Sequence, residues 1–170
     1  PTGDRWRLQA FAHHCPHYRP LVGVEEDPAP ESLWLEISGS EALFGGEQGL
    51  AEKLRTDLAE QGAQVRVAIA DSWGAAWGVS HFGDAEISLV PPGKQQNGLA
   101  PLPIAALRIS ETVRRSLKTL DVMTVGQLLR LPRASLPSRF GDELVRRIDQ
   151  ALGLAPELLI AERLVEPLFA

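Results

Sequence analysis

The stretch "ESLWLEISGSEALFGG", residues 31–46, gathers the first groups that could do chemistry. Glu31 and Ser32 stand at the mouth of an apolar run, and Glu36 at its other end. Carboxylates converging at a strand end can hold the divalent cations that phosphoryl transfer needs. Glu31 is the metal-ligand candidate of this stretch. The plainer account makes Glu31 a solvated carboxylate at a loop–strand junction and Glu36 a locally bonded one. "HHCPH", residues 13–17, puts three His and one Cys together. Pro16 breaks the helix there and no second ligand pair follows, so exposed or packing His outweighs a zinc site. Cys15 beside a His could be a thiol nucleophile, yet no oxyanion device accompanies it. "FGGE", residues 44–47, could hold a phosphate at a helix N-terminus. Glu47 would repel that anion, and a turn feeding a helix suffices. Arg139, Arg146 and Arg147 surround the Phe140–Gly141 turn and could bind phosphates; the alternative is a solvated basic face.

The elements that must position these groups can be read from periodicity. Residues 4–15 read as helical, with Leu8, Phe11 and Ala12 on one face and Pro16 and Pro20 ending the run. "LVGVEE" is a short strand, "EEDPAP" a loop, and "SLWLEIS" a strand by its Leu, Trp and Ile content. Leu50, Leu54 and Leu58 recur every four residues, which predicts a helix over 47–61 stopped by Gly62. "QVRVAIA" is a central strand, a helix follows over 72–81, and "AEISLV" is a last strand closed by "PPG". The order α-β-β-α-β-α-β suits an α+β layer: an open, mixed sheet with helices on one face. "PPGKQQNGLAPLP" has Pro, Gly and polar residues without periodicity and reads as a linker. Short helices alone come after it. Ser110 caps one carrying Val113, Leu117 and Leu120, and Thr124 caps one carrying Val125, Leu128 and Leu129. "PRASLPSRFG" is a helical turn closed at Gly141. Residues 142–152 form a last helix with Leu144, Ile148 and Leu152 inward and Arg146 and Arg147 pointing the other way.

The 170 residues allow one domain or two small ones, and 44% apolar content is ordinary for a globular chain. No run approaches the ~18 apolar residues of a membrane span, and no signal peptide is visible. A single Cys excludes an internal disulfide and suits a reducing compartment, here the cytoplasm. The chain does not start with Met, so it reads as a piece of a longer protein. Net charge is −5, but it is unevenly spread. Residues 1–97 carry 7 Lys and Arg against 14 Asp and Glu, and residues 98–170 carry 10 against 8. The C-terminal part has the better electrostatic case for touching a polyanion.

Four stretches carry a resemblance: "LWLEISGSEALFGGE", "VAIADSWGAAWGVS", "SLVPPGKQQNGLAPLPIAALRIS" and "LDVMTVGQLLRLPRASLPSRFGDELVRRIDQALG". In this order they span most of residues 31–153. They resemble the Y-family (UmuC/DinB-like) translesion DNA polymerases, and most nearly the family's accessory ImuB-type branch in the bacterial mutasome. The resemblance implies the later half of a polymerase palm over residues 1–98 and a helix-hairpin-helix thumb over 99–153. It makes residues 154–170 a tail toward a little-finger domain. It also implies that the first catalytic Asp and the fingers belong upstream, and a clamp-binding segment downstream.

The resemblance also assigns roles. Active members present an Asp-Glu pair before this strand; the matching positions are Glu31 and Ser32. Ser32 is neutral and cannot replace an anionic metal ligand. Active members follow the next strand with an Asn-Lys pair and a further Lys; the matching positions are Ser72, Trp73 and Trp77. An indole supplies no positive charge. Three losses at one site imply a polymerase shell without catalytic residues, without a bound metal and without a cofactor. The role implied is an adaptor in DNA repair and damage-induced (SOS) mutagenesis. It would place an error-prone polymerase, with a sliding clamp, on damaged DNA in the cytoplasm or nucleoid. DNA contact would be weak and sequence-independent, through Arg139, Gly141, Arg146 and Arg147. The first hairpin reads "LRIS" where the family has Gly-x-Gly, which puts that half's contact in doubt. Two alternatives stand beside this: an active nucleotidyltransferase using Mg²⁺ and dNTPs, and a DNA-binding regulatory module unrelated to polymerases. Trp73 and Trp77, four apart, are expected to share a helix face and cover one end of the palm, with "GAAWG" allowing close approach to the sheet.

Overall fold

The computed structural model describes residues 8–12, 21–25 and 30–160. It divides into two compact units, residues 1–64 with 158–170, and residues 65–157.

In the first unit residues 8–12 are helical, and β1 (Val22–Val24) pairs antiparallel with β2 (Leu33–Leu35). Gly23 faces Trp34 across the pair, and a Cβ at Gly23 would fall 2.3 Å from the indole. Only glycine lets that ring lie flat against the neighbouring strand. A 3₁₀ turn (Glu41–Phe44) and two glycines with left-handed backbone, Gly45 and Gly46, lead into α1 (Glu47–Glu60). The Gly46 N–H donates to the Glu41 carbonyl at 2.8 Å, so the glycine pair of "FGGE" builds the turn. α1 buries Leu50, Ala51, Leu54 and Leu58, the face its spacing predicts. Gly62 ends it as expected. Its N–H donates to Ala59 and that of Ala63 to Leu58, a double closure of the last carbonyls.

In the second unit β3 (Val67–Ile69) pairs parallel with β4 (Ile87–Leu89), Ala68 facing Ser88. A parallel pair needs a crossover. Here it is α2 (Trp73–Phe82), one residue off the predicted span. Then come α3 (Gln95–Leu99), a 3₁₀ turn (Ile104–Leu107), α4 (Glu111–Lys118) and α5 (Val125–Leu129). A second 3₁₀ turn (Arg133–Ser135), α6 (Leu136–Phe140) and α7 (Asp142–Leu152) complete the unit. Ser110 and Thr124 cap α4 and α5 as predicted, Thr124 in a reciprocal box with Gln127.

The chain is thus mixed α and β, compatible with the expected α+β class. Three expectations need correction. The described strands form two two-stranded sheets, not one open sheet: the pairs sort by unit, and each strand has only three residues. "PPGKQQNGLAPLP" is not a linker. Leu99 and Leu102 are core residues, and Gln95 is buried with its amide on Asp71 at 3.1 Å. Its polar composition hides a single helical turn with one apolar side. The core of this unit runs from Ala75 through Leu99, Ile104, Leu117, Leu128 and Leu144 to Ala151, across residue 98. Residues 154–157 do not simply trail away. The N–H groups of Leu154 and Ala155 donate to the Asp149 carbonyl, folding the chain back beside α7.

Among the described residues no helix is long and apolar enough to cross a membrane.

Candidate functional site

The small residues of α2 dictate where it packs. A Cβ at Gly74 would fall 2.9 Å from the Ala151 backbone, and one at Gly78 would fall 2.9 Å from the Ala106 carbonyl. The closest approaches of "GAAWG" are therefore to α7 and to the 3₁₀ turn at 104–107, not to the sheet alone. Ser72 locks the first of these. Its hydroxyl donates to the Ala151 carbonyl at 2.7 Å and accepts from the Ala75 N–H at 3.3 Å as the helix cap. Both capacities of this side chain are spent on structure.

Trp73 and Trp77 share a face, as their spacing predicts, but they are half-buried. The guanidinium of Arg108 lies 5.7 Å from the ring centroid of each. Trp77 also stacks on His81 at 4.0 Å. The two indoles thus share one cation. Arg108 has left-handed backbone, φ 53° and ψ 38°. That is glycine's region, and it costs a residue with a Cβ about 1 kcal/mol. "LRIS" thus holds an arginine in a conformation that suits glycine.

Arg108 is neutralised by Glu157. Its Nη1 lies 2.7 Å from Glu157 Oε1, and its Nη2 donates to Oε2 at 2.8 Å. Arg147 Nη1 donates to the same Oε1 at 3.3 Å. Burial holds the Arg147 guanidinium below its ordinary pKa, and the Arg108 charge pushes the same way. Arg147 therefore does not point away with Arg146, which corrects the expectation. It is three residues after Leu144 and four before Ala151, both buried, so it lies at the edge of α7's packed side. Arg146, one residue earlier, is exposed.

Around the Phe140–Gly141 turn Arg139 is exposed, its guanidinium 5.8 Å from the Phe140 ring. Gly141 closes the turn, as predicted, with a φ of 84° that suits glycine, and its N–H donates to the Pro137 carbonyl at 2.9 Å. Arg133 donates from a single nitrogen, Nη2, to both Asp149 carboxylate oxygens at 2.7 Å. Arg139 and Arg146 are thus the exposed cations of the four named residues, and Asp142 and Glu143 in the first turn of α7 put acid beside them.

Glu31 and Ser32 belong to the first unit. Glu31 is exposed, and its backbone N–H donates to Glu25 Oε2 at 3.4 Å. The Ser32 hydroxyl donates to the same oxygen at 3.1 Å. Glu36 accepts from the Ser38 N–H at 2.9 Å, a local bond as expected. Among the described residues no three His, Cys, Asp or Glu side chains gather as a metal group. "HHCPH" with Cys15 lies outside the described residues.

The sequence reading missed Glu25, Arg108 and Glu157. Glu25 reaches Ser32 only through the β1–β2 register. Arg108 carried a legible signal, an arginine where the resemblance expects glycine.

No family model matches the chain. The chain is 41% identical over 169 residues to the protein ImuB of Caulobacter vibrioides, covering 99% of this chain and 36% of that protein. It is 33% identical over 130 residues to DNA polymerase IV of Dehalococcoides mccartyi, covering 73% of this chain and 33% of that one. The chain is a relative of ImuB and of the Y-family DNA polymerases. A module unrelated to polymerases is therefore excluded. The chain spans about a third of the length of these curated relatives.

Proposed function

We propose that this chain is part of a non-catalytic, ImuB-like adaptor for error-prone translesion synthesis in DNA repair. Its residues 99–153 act as a thumb that grips the DNA backbone, and its strands belong to a palm. One observation carries this reading. At the positions matching the polymerase lysines, two indoles hold an arginine that is already paired with Glu157. In the structure that guanidinium is engaged by a carboxylate of the chain itself. Ser32, where a metal carboxylate would stand, spends its hydroxyl on Glu25. The partners of the whole protein are an error-prone polymerase and a sliding clamp, in the cytoplasm on the nucleoid. On the exposed face, contact with the DNA backbone falls to Arg139 and Arg146, with Gly141 shaping the turn, while Arg147 is paired with Glu157.

Binding to duplex DNA tests the thumb. A few backbone contacts give a log K versus log salt slope of about −2 to −3, at ~0.9 per phosphate. Arg139→Ala with Arg146→Ala flattens that slope by up to about 2 units. An unchanged slope in the double variant would leave this face merely solvated. The likeness to DNA polymerase IV supports a second reading, nucleotidyl transfer with Mg²⁺ and dNTPs, in which Glu31 would be a metal ligand.

A further inference from the structure

We propose that Arg108 and Arg147 form a phosphate-binding site occupied by the chain's own Glu157, and that an incoming phosphate group displaces that carboxylate. The inference does not rest on the adaptor reading, because it concerns binding and holds with or without catalysis.

The charge balance points to it. Two guanidinium groups converge on one carboxylate, at 2.7 Å and 2.8 Å from Arg108 and 3.3 Å from Arg147. One positive charge is left over in a partly buried cluster, where side-chain exposures are 17%, 27% and 13% for Arg108, Arg147 and Glu157. The Nε–H groups of both arginines are buried and have no partner among the described residues. A carboxylate has two oxygens and one charge. A phosphate group brings more acceptors and up to two charges, and the guanidinium fork matches its geometry. It brings the second negative charge that Glu157 does not supply to the two guanidinium groups.

The occupant sits on a short segment after α7. Glu157 ends a short return segment held by the Leu154 and Ala155 N–H groups on the Asp149 carbonyl, at 2.7 Å and 3.2 Å. The Gln150 amide adds a 3.5 Å contact to the Pro156 carbonyl. Leu154 is 71% exposed, so little apolar surface resists release. The site itself stays when Glu157 goes. The indoles of Trp73 and Trp77 hold the Arg108 guanidinium independently of the segment, and Arg147 is fixed on α7.

The test is a titration of the chain with inorganic pyrophosphate, read by tryptophan fluorescence and by the thermal midpoint. A latch closed about nine-tenths of the time lowers apparent affinity roughly tenfold. Glu157→Gln therefore binds pyrophosphate about tenfold more tightly than the parent. Arg147→Gln, which leaves the Arg108–Glu157 pair in place, loses pyrophosphate binding, and this arm decides if the first variant does not fold. Competition by a dNTP assigns the natural phosphate to a nucleotide. Competition by an oligonucleotide without terminal phosphates assigns it to the DNA backbone. Glu157→Gln with parental affinity, or Arg147→Gln that binds as the parent does, would overturn the proposal.

Discussion

Arg108 concentrates the molecule's local compromises. Its left-handed backbone is unfavourable, and the two indoles and Glu157 offset that cost. The two effects can be separated. Arg108→Gly and Arg108→Ala both lose the ion pair and the cation–π contacts, but only glycine relieves the backbone. Chemical denaturation should find the glycine variant about 1 kcal/mol more stable than the alanine one. Equal stabilities would remove the strain from the account. Trp77 is half-buried, stacked on His81 and beneath Arg108. Truncation to Ala should cost about 1.5–2.5 kcal/mol, half the loss of a fully buried ring. Trp77→Lys puts like charge beside Arg108 and should create no Mg²⁺-dependent dNTP binding beyond that of the parent. Calorimetric unfolding and a dNTP titration check both.

At the scale of elements, α2 fits because its glycines are spacers. Gly74→Ala gains helix propensity of up to ~1 kcal/mol, yet its Cβ meets the Ala151 backbone at 2.9 Å. Overpacking wins, so the variant should lose about 1–2 kcal/mol net in a denaturant melt; a stabilised variant would mean α7 can yield. On α4, Glu111 bonds Arg115 at 2.9 Å and also pairs with Arg114. The hydrogen bond from Arg115, with Arg114 assisting, lowers the Glu111 pKa against burial. A depressed carboxyl stabilises the fold above its unfolded pKa and loses that contribution as pH falls through the folded one. The parent should therefore lose stability relative to Glu111→Gln on acidification below the ordinary Glu range, and parallel acid limbs would contradict this. Elements of this kind were legible because periodicity and caps are local: Leu50-Leu54-Leu58, Ser110, Thr124 and Gly62 each announce themselves. α3 was not, because five residues cannot display a period and one of its buried residues is polar: Gln95 lies inside with Leu99 while Gln96 and Asn97 face out. The separation of β1–β2 from β3–β4 was not legible either, because pairing is a long-range choice among strands of similar composition.

At the scale of the whole molecule, charge and chemistry divide differently from composition. Pro and Gly near residue 98 suggest a boundary, while the compact units divide at 64/65 and the core passes through residue 98. The candidate site was half legible. Residue types at 31, 32, 72, 73 and 77 carry the proposal of a missing chemistry and are read directly from the chain. The cluster at Trp73 and Trp77, Arg108 with Glu157, depends on a chain return after α7 that no local pattern encodes. The central claim is that this arrangement has exchanged catalysis for structure. Primer extension tests it most directly: the chain with primed template, all four dNTPs and Mg²⁺ or Mn²⁺. The account predicts no extension, because too few carboxylates are present to hold the metal that phosphoryl transfer needs. Template-dependent extension that survives repurification and disappears in Glu31→Ala would contradict it.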